Sequence, residues 1–247
     1  MTTNVYDSNV GLMATDSRWS VEYGNYLIYV DDTRFDKIER YGDAVFMFAG
    51  DGHRIQAWKT WIRSAPGDDS QMPDCEKMCV CIARASDKAV LFKERQDIVK
   101  DGGYFAGSGS RYAYVCWNEN RDGQRAVESA KTFDSSSGGD VKFFDFVSGD
   151  HNLFNPTKDV QVQDVIDALN DRGMVMEIAM NANEQKAPFK LKDVTAANDP
   201  ALKEAQGKLA NGELSPTAPC DGMYSEWTAD QKSKLKGVLG DVFGWKK

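Results

Sequence analysis

The chain has 247 residues, enough for one large domain, or one domain with an appendage, built on a sizeable core. Lysine plus arginine number 30 against 38 aspartates and glutamates, and the resulting net charge of −8 argues against a nucleic-acid or anionic-membrane binder. No apolar run approaches the ~18–20 residues of a membrane span, and residues 1–10 lack the basic and apolar regions of a secretory signal.

Residues 2–6 and 12–16 predict a hairpin with a tight turn at 8–11. Two short strands are expected at 26–30 and 34–39. Residues 44–49 (AVFMFA) form an apolar run between glycine turns, of the length of a strand buried on both faces. Ile55, Trp58 and Ile62 recur at helical spacing and predict a helix over 53–63, with Trp58 and Trp61 in the core or at a subunit interface and His53 as a capping or pocket residue. A hairpin follows at 77–84 and 88–93, then a short strand at 104–106 that runs into Gly107-Ser108-Gly109-Ser110. Helices are expected at 111–118 and 124–132 and a strand at 141–147. Antiparallel sheets covered by helices fit this order better than an alternating parallel chain. The composition shifts near Gly149. Beyond it, 160–169 predicts an amphipathic helix, 187–219 has weak periodicity, and 227–240 predicts a last helix carrying Leu235, Val238 and Leu239. Two parts result: a core over 1–149 and a partly helical C-terminal extension over 150–247.

Five cysteines, an odd count, suggest reduced thiols in a cytoplasmic protein. Cys75, Cys79 and Cys81 lack the paired spacing of a zinc site, and core packing is the simpler reading. With only His53 and His151 there is little room for a histidine-based metal site or a Ser-His-Asp triad. Neither metal nor cofactor is expected. Gly107–Ser110 has the look of a phosphate loop, but no lysine follows in Walker spacing.

Thr2 stands directly behind Met1, and methionine is usually removed before a small side chain. A threonine at the mature terminus carries its own base: its α-amino group has a reference pKa of ~7.7–8.0 and activates the hydroxyl directly or through a water. No histidine is then needed.

Thr2-Thr3, Asp16-Ser17-Arg18, Asp36-Lys37-Ile38, Ala49-Gly50, Gly107-Ser108-Gly109 and Asp134-Ser135-Ser136-Ser137-Gly138-Gly139 follow one another along residues 2–147. This series resembles the proteasome β-subunit and HslV family of N-terminal-nucleophile (Ntn) threonine peptidases, the bacterial proteasome homologues in particular. The resemblance implies an α+β fold, a four-layer αββα Ntn-hydrolase sandwich, here with a C-terminal extension. It implies Thr2 as nucleophile and Lys37, charged and aimed by Asp16, as the cation beside it. It implies the Gly50 N–H as oxyanion donor, an interaction worth ~3–4 kcal/mol in the better-studied case. Ser108, Asp134 and Ser137 would orient the terminus. Ser20 matches a residue whose backbone pairs with an extended substrate, and Phe35, Phe48 and Gly52 join it as expected substrate-binding residues. The longer stretch between Asp16 and Lys37, the polar Asp51-Gly52-His53 and the long tail depart from the family pattern.

The implied activity is a self-compartmentalising threonine endopeptidase acting on peptides or unfolded protein, assembled as a homo-oligomeric ring. An ATPase or cap partner stays open. Two alternatives stand beside it: an Ntn amidase or acylase acting on a small amide, and a non-catalytic, ring-forming scaffold subunit.

Overall fold

The structure, a computed structural model, describes residues 2–154, 160–178, 187–195 and 199–245. Met1 and part of the weakly periodic stretch at 187–219 lie outside the described residues. The fold is mixed, with helices and two antiparallel sheets.

The smaller sheet has five strands in the order β11-β2-β1-β10-β9. These are β1 (Asn4–Asp7), β2 (Leu12–Asp16), β9 (Ile98–Lys100), β10 (Gly103–Ala106) and β11 (Val141–Asp145). Successive residues of a strand face opposite ways, and both faces are buried here. Val5, Ala14 and Phe105 pack against Ala113 and Trp117 of α2 (Ser110–Asn120) and Ala126, Val127 and Ala130 of α3 (Gly123–Phe133). Tyr6, Met13 and Phe144 instead pack against Val45, Met47, Cys81 and Ala83 of the larger sheet.

The larger sheet gathers β3 (Trp19–Tyr23), β4 (Tyr26–Val30), β5 (Ile38–Tyr41), β6 (Ala44–Asp51), β7 (Met78–Arg84) and β8 (Val90–Phe92). From the tail come β12 (Met174–Glu177), β13 (Phe189–Lys190) and β14 (Thr217–Ala218). The order is β13-β12-β4-β3-β14-β6-β7-β8, with β5 paired to β6. In β6, Val45 and Met47 face the small sheet. Phe46 and Phe48 face a cluster formed with α1 (Gly52–Arg63), α4 (Val162–Arg172), α5 (Pro200–Ala210) and α6 (Ala229–Phe243). Hence residues 44–49 are apolar throughout.

Several expectations need correcting. The strand expected over 34–39 begins only at Ile38, because the preceding segment is taken up by burying Phe35 and Lys37. Strand β3, whose Trp19 and Val21 alternate inward before a tight turn into β4, was not anticipated. Nor were β9, the three tail strands and α5, which Asp199 caps ahead of Pro200 at the first turn. Asp51, not His53, caps α1.

The tail beyond Gly149 shares the core of what precedes it. Leu169, Leu202, Leu209, Leu235 and Leu239 are all buried in the cluster that holds Phe46 and Phe48. Trp227 stacks on Phe92 at 5.7 Å and donates its indole N–H to Met78 O. Among the described residues no helix is long and apolar enough to cross a membrane.

Truncating a core leucine of the last helix therefore weakens the whole. Leu239→Ala is expected to cost about 2–5 kcal/mol, and denaturant unfolding followed by tryptophan fluorescence should keep a single transition at a lower midpoint. A separate early transition would mean that the tail folds as its own unit.

Candidate active site

The antiparallel register that sets Asn4 opposite Thr15 carries the chain start to Asp16, the last residue of β2. Thr2 Oγ1 donates to Asp16 Oδ1 at 2.5 Å. Lys37 Nζ, approaching from the segment before β5, donates to Thr2 Oγ1 at 2.6 Å and to Asp16 Oδ1 and O, both at 2.9 Å. Exposure is 0 % for Thr2 and Asp16 and 1 % for Lys37, so water does not screen the trio. Burial pushes the Lys37 ammonium pKa down, and Asp16 opposes that shift by charge and hydrogen bond. The threonine proton faces a carboxylate while the oxygen lone pairs face an ammonium. That arrangement polarises the hydroxyl toward its alkoxide form.

Asp16 is held on all sides. Its Oδ1 also accepts from Thr3 N at 2.8 Å, and its Oδ2 accepts from Arg18 N and Gly138 N, each at 3.1 Å. A Cβ at position 138 would stand 2.4 Å from the Arg18 guanidinium, so any larger residue there would push Arg18 out of its place. Arg18 itself, half-hidden beside Tyr29, pairs with Asp31 at 2.7 Å and donates to Ser135 O. It thus ties the 134–139 loop to β2. In the sequence Arg18 shows only as part of the Asp16-Ser17-Arg18 motif, and Asp31 only as part of the acidic Asp31-Asp32 pair in the long stretch between Asp16 and Lys37.

A second polar cluster adjoins the first. Asp134 Oδ2 accepts from Ser108 Oγ at 2.7 Å and Ser137 Oγ at 2.6 Å, and Ser137 Oγ lies 2.7 Å from Thr3 Oγ1. Gly109 N donates to Thr2 O at 3.2 Å, so the loop before α2 touches the threonine through its backbone. Ser108, Asp134 and Ser137 are thereby brought together, one residue removed from Thr2.

Gly50 ends the apolar run of β6 at φ +131°. A Cβ there would lie 2.4 Å from Lys77 O and 2.6 Å from Met78 Cα, which only glycine avoids. The strand reaches the trio through Phe48, whose N–H donates to Lys37 O at 2.8 Å and whose carbonyl accepts from Asn4 Nδ2 at 2.9 Å.

The four residues expected to bind substrate do not line an open pocket. Ser20 is paired with Thr217 of β14. Phe35 packs on Trp19 at 5.2 Å with Lys59 Nζ over its ring, and Phe48 stacks on Phe46. Gly52 opens α1 and donates its N–H to Pro216 O at 2.8 Å. The physical reason is the tail, whose strand β14 and helices cover this side of the sheet. A cavity of about 410 Å³ lies elsewhere, lined by Asp36, Glu39, Lys59, Phe144 and Phe154 among others, and Lys37 does not reach it.

Cys75, Cys79, Cys81 and Cys220 are free and buried, and burial pushes the Cys81 thiol up to about 12, as befits a packing residue. Among the described residues no group of three or more His, Cys, Asp or Glu could hold a metal ion.

Asp97 is a site neighbour that no motif announced. Its Oδ2 accepts from Gly107 N at 2.7 Å. Burial, reinforced by Asp221 and opposed by Gly107, Ser110 and Arg111, pushes its pKa up to about 6 from an ordinary 3.8.

Two expectations follow. Asp16→Asn leaves a buried ammonium without its counter-charge and should destabilise by about 3–5 kcal/mol; adding Lys37→Met should recover part of that loss in the same urea titration. For Asp97 the folded form holds the proton more tightly than the unfolded chain. Its stabilising contribution is full below about pH 3.8 and is lost as pH rises through about 6. The melting temperature of Asp97→Asn minus that of the parent should therefore rise from about pH 4 to about pH 7 and then level off.

No protein-family model matches the chain, and no curated protein matches it. Among solved structures it is similar to Thiobacillus denitrificans BPH, both by itself and in complex with epoxomicin, at 16 % identity and a TM-score of 0.36, over 63 % of this chain and 100 % of that one. It is also similar to eukaryotic HslV from Trypanosoma brucei, at 16 % identity and a TM-score of 0.29, over 57 % of this chain and 97 % of that one.

Proposed function

We propose that the chain is a threonine hydrolase of the N-terminal-nucleophile type that cleaves peptide bonds. The observation that carries this reading is the Thr2 hydroxyl held between Lys37 Nζ at 2.6 Å and Asp16 Oδ1 at 2.5 Å in a water-free setting. A buried ammonium against an aliphatic hydroxyl is costly to maintain for packing alone. It has an obvious use in stabilising a developing alkoxide.

In this reading Met1 is removed and the α-amine of Thr2 becomes the base. The amine takes the hydroxyl proton, and Thr2 Oγ1 attacks the peptide carbonyl. The Gly50 N–H receives the oxyanion. The amine returns the proton to the leaving nitrogen, which departs and leaves an ester on Thr2. Water, activated by the same amine, hydrolyses the ester. Asp16 keeps Lys37 charged, and Asp134 with Ser108 and Ser137 fixes the Thr2-Thr3 backbone. The two sheets with their helix clusters are read as a four-layer αββα sandwich over residues 1–149, with 150–247 as an extension built into it. Assembly into a closed homo-oligomeric ring in the cytoplasm, which would confine the activity, belongs to the same proposal.

The non-catalytic scaffold reading draws on one observation, the 0 % exposure of Thr2 in the chain that still carries Met1. The two part on a single experiment. A peptide epoxyketone bonds to both hydroxyl and amine of an N-terminal threonine. Loss of one methionine and a stoichiometric adduct are expected by intact mass. Thr2→Ala is expected to lose the adduct and to cut hydrolysis of a fluorogenic peptide by about 10³-fold or more. Retained methionine with no adduct would favour the scaffold. A free Thr2 that hydrolyses small amides but no peptide would favour the amidase.

A further inference from the structure

Both backbone edges that the proposed reaction needs are already in use. Thr217 of β14 lies opposite Ser20 of β3 and Asp51 of β6, and Ala218 lies opposite Gly50. Thr217 Oγ1 donates to Ser20 O at 3.0 Å, and Gly52 N donates to Pro216 O at 2.8 Å. A segment of the chain's own tail therefore lies, extended and antiparallel, beside the residue expected to pair with substrate and against the candidate oxyanion glycine. The trio of Thr2, Asp16 and Lys37 is at most 1 % exposed in the chain that still carries Met1; the cover that concerns an extended substrate is β14, seated on the edges of β3 and β6.

Segment 215–220 is suited to lifting. Strand β14 has two residues and is flanked by Pro216 and Pro219, which donate no backbone hydrogen bond. It ends on a thiol pair: Cys220 Sγ lies 2.9 Å from Cys79 Sγ, and Cys79 stands opposite Ala49, next to Gly50. Beyond the pair Arg95 anchors the chain, donating to the carbonyls of Gly222, Ser225 and Glu226. The far end is thus tied down, and the thiol pair sits between that anchor and the removable strand.

We infer that residues 215–220 form an internal strap that occupies the substrate slot of the proposed site, and that Cys79 and Cys220 are its redox latch. This rests on the hydrolase reading above. With both thiols reduced the strap lifts and an extended peptide replaces β14 between β3 and β6. In the oxidised form the strap is fixed to β7. The oxidant is a low-molecular-weight disulfide such as glutathione disulfide. When the strap lifts and exposes the pair, the thiolate of one cysteine attacks this oxidant and expels one glutathione thiolate. The partner cysteine then attacks the mixed disulfide, forming the Cys79–Cys220 bond and expelling the second. Two thiol protons pass to two glutathione thiols, and the two electrons reduce the glutathione disulfide.

The test uses the full chain with Met1 removed. Hydrolysis of a fluorogenic peptide and the rate of epoxyketone adduct formation are measured reduced, after glutathione disulfide, and after re-reduction, with the cysteine pairing mapped by peptide mass. The oxidised protein, 2 Da lighter, is expected to lose at least tenfold in both rates and to regain them on reduction. Cys220→Ser should be insensitive to the oxidant. Thr217→Gly, which gives up the hydrogen bond to Ser20 and stiffness in the strap, should form the adduct several-fold faster than the parent. Unchanged rates with a mapped Cys79–Cys220 bond would overturn the strap while leaving the hydrolase reading intact. Failure of the pair to form under the oxidant would overturn the latch. An adduct in Thr217→Gly but not in the parent would support a strap that holds the site shut. No adduct in either would overturn the hydrolase reading, and the strap with it.

Discussion

An ammonium group with almost no access to water must be matched, and the surroundings of Lys37 are organised by that demand. Asp16 supplies the charge, but a buried carboxylate needs donors of its own. It finds them in Thr3 N, Arg18 N and Gly138 N. Those three amides come from the residue before β1, from the turn after β2 and from the loop before β11. Satisfying one ion pair thus fixes the mutual placement of the chain start, the first hairpin and the Gly138 loop. The Thr2 hydroxyl then lies within hydrogen-bond reach of both the cation and the anion.

The same economy explains why the large sheet carries its apolar residues on both faces. Val45 and Met47 look toward the small sheet while Phe46 and Phe48 look toward the helices. Without residues after Gly149, the second face would be covered by α1 alone, leaving the aromatic side of β6 wet. Val165, Leu169, Leu202, Leu209, Leu235 and Leu239 supply the missing cover. The tail therefore belongs to the folding unit that holds the candidate site.

What could be read from the sequence divides along a physical line. Thr2, Asp16, Lys37, Asp134 and Ser137 announce themselves through short motifs in a fixed order, and local patterning marks β6, α1 and α3. Strand β14 is invisible to any such reading. Pro-Thr-Ala-Pro has no alternation and is bounded by two prolines, and its pairing partners Ser20, Gly50 and Asp51 lie 166 to 197 residues away in the chain. Phe48 falls on the apolar strand that patterning marks, but whether Ser20, Phe35, Phe48 and Gly52 are accessible depends on that distant strand and the helices beside it. Asp97 is likewise ordinary in sequence; only its burial beside Gly107 N and Asp221 makes it unusual.

The position of β14 has a bearing on how the molecule behaves toward its own kind. Removed from the sheet order, it would split the large sheet into two blocks, each with a raw edge: β3 on one, the Gly50–Asp51 end of β6 on the other. Exposed edges of that sort recruit strands from other chains and seed aggregation. With a two-residue segment the chain plugs the breach from within, and among the described residues the row runs unbroken from β13 to β8. A protein that opened this seam to take in an extended peptide would briefly accept the hazard of taking in a neighbour instead, which favours openings that are short and rare.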